Sequence, residues 1–154
     1  PQIVGVVSIV GRLEDRVMTT TEHNRATIEQ NKTVVRDFID ALFTRGDPNA
    51  VDDYLADDFV NNDPPFGASA DRQGMRGAGA MFRSVFPDWH IVVERFTASG
   101  THTGTDIMGV APSGATVTLP GINIFRLRDG RIVERWGRLD DLGFLRQLGV
   151  TEHP

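Results

Sequence analysis

Apolar residues at Ile28, Val34, Val35, Phe38, Ile39, Leu42 and Phe43 recur at three- and four-residue spacings, which predicts a helix over 27–44 with one buried face. Arg45-Gly46 closes it. Asp47 suits the N-cap and Pro48 the first position of a short second helix through Val51, Tyr54 and Leu55. Phe59-Val60-Asn61 reads as a brief extended piece, stopped by Asp63-Pro64-Pro65. A third helix is predicted over 72–86, with Met75, Phe82, Val85 and Phe86 inward. Gly74, Gly77 and Gly79 each weaken it by roughly 1 kcal/mol relative to Ala. They either permit close packing or leave the helix frayed.

After Pro87-Asp88 the period changes from helical to alternating. Extended segments are predicted over 89–98, 101–108, 116–119, 121–127 and 131–139, with Asp129-Gly130 as a hairpin turn. Leu142, Leu145 and Leu148 predict a last helical turn, stopped by Gly149. Helices followed by a meander imply an α+β fold, with N-terminal helices packed on a curved antiparallel sheet and a pocket between the layers.

Composition narrows the chemistry. The chain has 154 residues, 40% apolar, and a net charge of −5, so it suits one globular domain and lacks the basic stripe that nucleic acid requires. There is no cysteine, which removes disulfides and thiolate chemistry. The four histidines, His23, His90, His102 and His153, have no metal-ligand spacing, so no metal site is expected. No Gly-x-Ser-x-Gly elbow exists, and GMRGAGA lacks the Lys-Ser/Thr of a phosphate loop. No apolar run approaches the roughly 20 residues of a membrane helix. Pro1–Val10 has no preceding basic residue or cleavage site, so a cytoplasmic protein is expected. Met18 is a candidate natural start; residues 1–17 would then be an extension, or else an extra strand or arm, ahead of a single domain over 18–154.

The stretches VVRDFIDALFTRGDPNAVDDYLADDFVNNDPP, FPDWHI, ERFTASGTHTG, GVAPSG and GINIFRLRDGRIVERWGRLDDLGFLRQLG together resemble the SnoaL-like polyketide cyclases. That group lies within the nuclear-transport-factor-two-like superfamily of α+β cones, and the resemblance covers about residues 28–150. It implies cofactor-free closure of a ring on a hydrophobic polyketide ester by intramolecular aldol chemistry. A carboxylate in the cone handles the proton, with its pKa tuned by burial.

A three-residue loop at Asp129-Gly130 would pair Leu127 with Arg131, Phe125 with Val133, Asn123 with Arg135 and Gly121 with Gly137, whereas a two-residue turn would shift this register by one. Phe125, Asn123, Arg135 and Gly137 would then face the cone, and Ile122, Ile124, Glu134 and Trp136 the back of the sheet. In the family that the chain resembles, the position of Asn123 is often His or Asp, and that of Gly137 is often the catalytic Asp. Here neither titrates. The candidate catalytic residues are therefore Asn123 and Asp140, the nearest carboxylate beyond the strand, although Asp140 also reads as an N-cap. Candidate substrate-binding residues are Asn61, Arg95, Arg135, Phe125 and Trp89. Asn61 alternatively supports the turn before Pro64, and Arg95 alternatively pairs with a buried carboxylate. Asn62 stands where many relatives have His. His102 reads as structural.

In relatives a longer hairpin separates FPDWHI from the strand carrying the Arg. By that comparison some 10–14 residues, about one strand and turn, are absent between Ile91 and Val92: either the protein lacks one hairpin, which leaves a shorter and more open cone, or residues are omitted there. Three functions compete. The first is a SnoaL-like cyclase. The second resembles limonene epoxide hydrolase; it is disfavoured because Thr97 and Gly137 replace its two carboxylates. The third is a non-catalytic ligand-binding or dimerisation module. Ile122, Ile124 and Trp136 on the back of the sheet predict a homodimer.

Overall fold

The computed structural model describes residues 20–93 and 97–150. The predicted extension over 1–17, the start at Met18, and Arg95 therefore lie outside the described residues. Helix α1 (Thr20–Ile39) runs into a π-helical turn (Asp40–Thr44), followed by α2 (Ala50–Tyr54) and β1 (Leu55–Asn61). In the π turn Arg45 N–H donates to Asp40 O at 2.8 Å, and Asp47 N–H reaches back to Ala41 O at 2.9 Å. Asp47 does not cap α2. Its carboxylate accepts from Asn49 N–H two residues on, at 2.9 Å, and the helix starts after Asn49. Leu55, predicted as helical, opens β1, where it is fully buried opposite Ile132.

Helix α3 (Arg72–Val85) forms where the apolar period places it, capped by Asp71 accepting from Gly74 N–H at 2.9 Å. Gly79 is there for close approach, because a Cβ would stand 2.9 Å from the Leu42 side chain.

The five strands are ordered β1-β5-β4-β3-β2. All pairs are antiparallel except β1 with β5, which is parallel and corrects the uniformly antiparallel expectation. The predicted strand over 89–98 is in fact two, β2 (His90–Val92) and β3 (Thr97–Thr101), paired over three residues. A short strand pair, β2 with β3, thus stands where relatives have a longer hairpin. The predicted strand over 101–108 does not form beyond Thr101. The chain there docks on the end of α3, with Gly104 N–H on Val85 O at 3.0 Å and Thr105 N–H on Ser84 O at 2.9 Å. A side chain on Gly104 would collide with the Ser84 carbonyl.

The segments predicted around Pro120 are one strand, β4 (Thr116–Arg128). Its first part pairs with β3 as far as Pro120, and its second part pairs with β5 from Gly121 onward. The proline, which has no N–H to give a ladder, sits at the changeover of partners. Strand β5 (Arg131–Leu139) and helix α4 (Asp141–Gln147) complete the fold.

The β4–β5 hairpin departs from its predicted pairing. Asp129 and Gly130 both have positive φ, 53° and 75°, as a two-residue type I′ turn requires, and Arg128 pairs with Arg131. A bulge then adds one residue, so that Leu127 pairs with Ile132 but Arg126 with Glu134. Phe125 therefore opposes Arg135 rather than Val133, Asn123 opposes Gly137, and Gly121 opposes Leu139. Two single-residue slips restore the original parity, so Phe125, Asn123, Arg135 and Gly137 still share the inner face.

Two buried clusters hold the layers together. One joins Val35, Phe38, Leu42, Val51 and Leu55 to Phe125, Leu127 and Ile132. The other joins Phe82, Phe86, Trp89, Leu119 and Phe144. Phe43 and Ile91 pack against both and line the cavity between them.

Candidate functional site

The cavity holds about 540 Å³ of empty space with its mouth included. Phe38, Ile39 and Phe43 wall one side, Met75, Ala78 and Phe82 another, and Trp89, Ile91, Ala98, Leu119, Phe125 and Leu139 the sheet side, with Pro65 beside them. The aromatic wall is tightly fixed, since the Phe82 and Trp89 rings stack at 4.7 Å. Against this apolar lining stand two polar residues, Asn123 and Arg135.

Arg135 is 7% exposed. Its Nη1 donates to Asn61 Oδ1 and to the Asp63 carbonyl, each at 2.9 Å. Among the described residues no carboxylate lies within ion-pair distance of it, and neither Nη2 nor Nε has a partner. Burial pulls its pKa down to about 10, an effect the charge of Asp63 partly offsets, so the guanidinium stays cationic at neutral pH. Asn123 is 6% exposed, and among the described residues both its amide nitrogen and its carbonyl oxygen lack partners. The indole N–H of Trp89 is likewise buried and unpartnered there.

Gly137 explains why these groups meet. A Cβ there would collide with Arg135 Nη2 and stand 3.0 Å from Asn123 Oδ1. The space that a side chain at 137 would fill is thus taken by the guanidinium, with the Asn123 amide alongside.

The remaining predicted site residues divide. Phe125 and Trp89 line the cavity. Asn61 does not; it is buried behind Arg135, with Nδ2 on Met75 Sδ at 3.3 Å and Oδ1 also accepting from Asp63 N–H at 3.2 Å. It holds the arginine and supports the turn. Asp140 is exposed and caps α4, its carboxylate accepting from Gly143 N–H at 2.9 Å, so it is no part of the cavity lining. Thr97, one of the two positions weighed for an epoxide-hydrolase carboxylate, stands opposite Pro120 on β4 and is only half-buried, while its neighbour Ala98 lines the cavity. Asn62 bonds to the Arg135 carbonyl at 2.8 Å through its N–H and at 3.3 Å through its side chain. His102 is fully buried, with Nε2 against Thr105 O at 3.0 Å and its ring 5.6 Å from Phe86, which fixes the loop after β3.

Sequence reasoning missed Asp63. Its carbonyl holds Arg135, and its carboxylate accepts from Gly137 N–H at 3.1 Å and from Arg138. Those two donors hold the Asp63 carboxyl below the usual carboxylate range. The only signal was Asp63-Pro64-Pro65, which reads equally well as a plain strand stop.

Among the described residues no three His, Asp or Glu side chains are grouped to hold a metal ion, and no helix is long and apolar enough to cross a membrane.

Comparison with solved structures finds the same architecture repeatedly. TsrD from Streptomyces laurentii is 28% identical with a TM-score of 0.66, over 79% of this chain and 96% of that one. IdmH from Streptomyces antibioticus is 30% identical with a TM-score of 0.64, over 79% and 99%. AclR from Streptomyces galilaeus, 24% identical with a TM-score of 0.66 over 80% and 98%, shares the fold. No curated protein matches. The family model of the SnoaL-like polyketide cyclases matches residues 33–148, from within α1 through the end of α4. The chain, cavity and both layers included, belongs to the SnoaL-like polyketide cyclase family.

Proposed function

We propose that the cavity promotes ring closure on an enolisable, hydrophobic, polyketide-like molecule without a cofactor. The observation that carries this reading is a cationic guanidinium and an unpartnered amide set in an otherwise apolar hollow. In such surroundings fixed donors stabilise developing negative charge far better than water does, by about 10²–10³ in rate for a single donor.

The sequence of events needs no redox partner. An activated C–H of the substrate gives its proton to solvent, and the enolate oxygen rests on Arg135 and the Asn123 amide. The enolate carbon then bonds to a carbonyl carbon of the same chain. The π pair of that carbonyl becomes an alkoxide, which takes a proton from water. Trp89 and Phe125 hold the chain folded so that the two carbons meet.

The test is solvent-deuterium exchange at the activated methylene of 2-tetralone, followed by NMR. Exchange faster than in buffer alone, and lost in Arg135→Met, is expected. Correctly folded protein that gives only the buffer rate overturns the proposal. One observation favours a second reading, a ligand-binding module: among the described residues no carboxylate or imidazole lines the cavity. Binding of 2-tetralone without exchange would select that reading.

We also propose that the outer sheet face pairs two copies of the chain. Ile122 is 62% exposed there, with Val60 and Val92 exposed on the two edge strands and Ile124 and Trp136 half-buried. Light scattering at micromolar concentration should give twice the chain mass, and a monomer would refute the pairing.

A further inference from the structure

We infer that the cavity selects an oxyanion: a flat apolar ligand bearing a carboxylate or a resonance-stabilised enolate, seated with its charge between Arg135 and Asn123. This rests on the cavity being the ligand site of the proposed function, but adds the sign of the charge it takes.

Three observations point the same way. First, the polar end of the cavity is cationic by construction. Position 137 has no side chain, and the guanidinium of Arg135 lies where its Cβ would be. An acid at 137 and this placement of Arg135 exclude each other sterically, so the inner face offers no carboxylate at that point.

Second, the cation is incompletely compensated. Nη1 is satisfied by two neutral oxygens, those of Asn61 and the Asp63 carbonyl. The Asp63 carboxylate is turned to Gly137 N–H and Arg138 instead. Among the described residues only the Asp63 carboxylate offsets this buried charge, and it does so without an ion pair; such a charge is costly, and an incoming anion relieves that cost where a neutral ligand does not. Guanidinium–carboxylate geometry also offers two parallel N–H donors to two oxygens, and among the described residues the hydrogen bonds of Arg135 run from Nη1, not from Nη2 or Nε.

Third, Asn123 is more than nine-tenths buried on the cavity wall with no protein partner among the described residues for either end of its amide. Its NH₂ can complete the anion's hydrogen bonds. The flat shape follows from the Phe82–Trp89 stack that forms the adjoining wall.

The test compares three probes by isothermal titration: 2-naphthoate, a carboxylate; 2-acetyl-1,3-indandione, an enolate at neutral pH; and 2-acetylnaphthalene, a neutral ketone of matching shape. At least one anion should bind wild-type protein about tenfold or more tightly than the neutral ketone, a difference of about 1.4 kcal/mol. Arg135→Met should erase the preference while keeping the neutral ketone's affinity, and Asn123→Ala should reduce the preference. Circular dichroism checks that both variants fold. Equal affinity for neutral and anionic probes in the wild type overturns the inference by itself, and leaves the ring-closure proposal standing if 2-tetralone exchange is still accelerated. Binding of none of the three at millimolar concentration overturns both.

Discussion

Replacing Gly137 by Ala tests the site with a single carbon atom. The position has ordinary strand backbone, so alanine meets no conformational barrier, and in a strand interior it is otherwise favoured over glycine by about 0.5–1 kcal/mol. Against that, the new Cβ collides with Arg135 Nη2 and comes within 3.0 Å of Asn123 Oδ1. The clashing atom is the end of a long side chain, so the arginine can retreat. Retreat strains or breaks the two 2.9 Å bonds of Nη1 to Asn61 and Asp63. Overpacking of this kind costs about 1–3 kcal/mol, which exceeds the strand preference. The expected net effect is a loss of about 1–2 kcal/mol, or about 3–6 °C in melting temperature for a domain of this size. Urea unfolding should show a lower midpoint at unchanged slope. Adding Arg135→Met should remove most of the penalty, with a coupling of about 1 kcal/mol, because the group being displaced is gone. A Gly137→Ala variant that is more stable than wild type, or a double variant whose losses simply add, would refute the placement of the guanidinium.

Asp140→Ala should cost about 1 kcal/mol through the lost cap of α4, seen as a lower melting temperature, with 2-tetralone exchange unchanged; a tenfold loss of exchange at unchanged helicity would make Asp140 catalytic after all. Asp63 has its carboxyl pKa lowered in the folded protein, first by Arg138 and then by Gly137 N–H. Its stabilisation is therefore complete above the ordinary carboxylate range and lost as pH falls through the lowered folded value. Thermal melts between neutral pH and pH 3 should be flatter for Asp63→Asn than for wild type, and identical slopes would contradict this.

The layer order and the long elements were readable in the chain because they rest on local period. α1 and α3 each show one apolar face, and nothing tertiary overrides it. What was not readable depends on contacts far along the chain. The end of β3 at Thr101 is set by carbonyls at the end of α3, which no pattern in THTGTDIM discloses. The parallel pairing of β1 reflects a partner some 70 residues away. The hairpin is instructive in another way: Asp129-Gly130 marked the turn but not its length, and nothing marked the bulge, yet the two slips cancel, so the inner-face residues were identified from a wrong pairing. At the site, Asn123 and Arg135 were placed by alternation alone. The role of Gly137 was not, because a missing side chain acquires meaning only from what occupies the gap. Asp140 was drawn in by proximity in sequence, and the start of α4 claims it instead.

The π-helical turn at Asp40–Thr44 carries one residue more than regular α winding would hold, and Phe43 on it closes one side of the hollow. Removing one residue of that turn would restore even α winding with the flanking helices near their present phase, and would change which side chain the turn presents to the wall at Phe43. The calibre of the chamber is therefore adjustable through the length of this turn, independently of its composition, and insertions or deletions there offer a route to reshaping it that leaves Arg135 and Asn123 untouched.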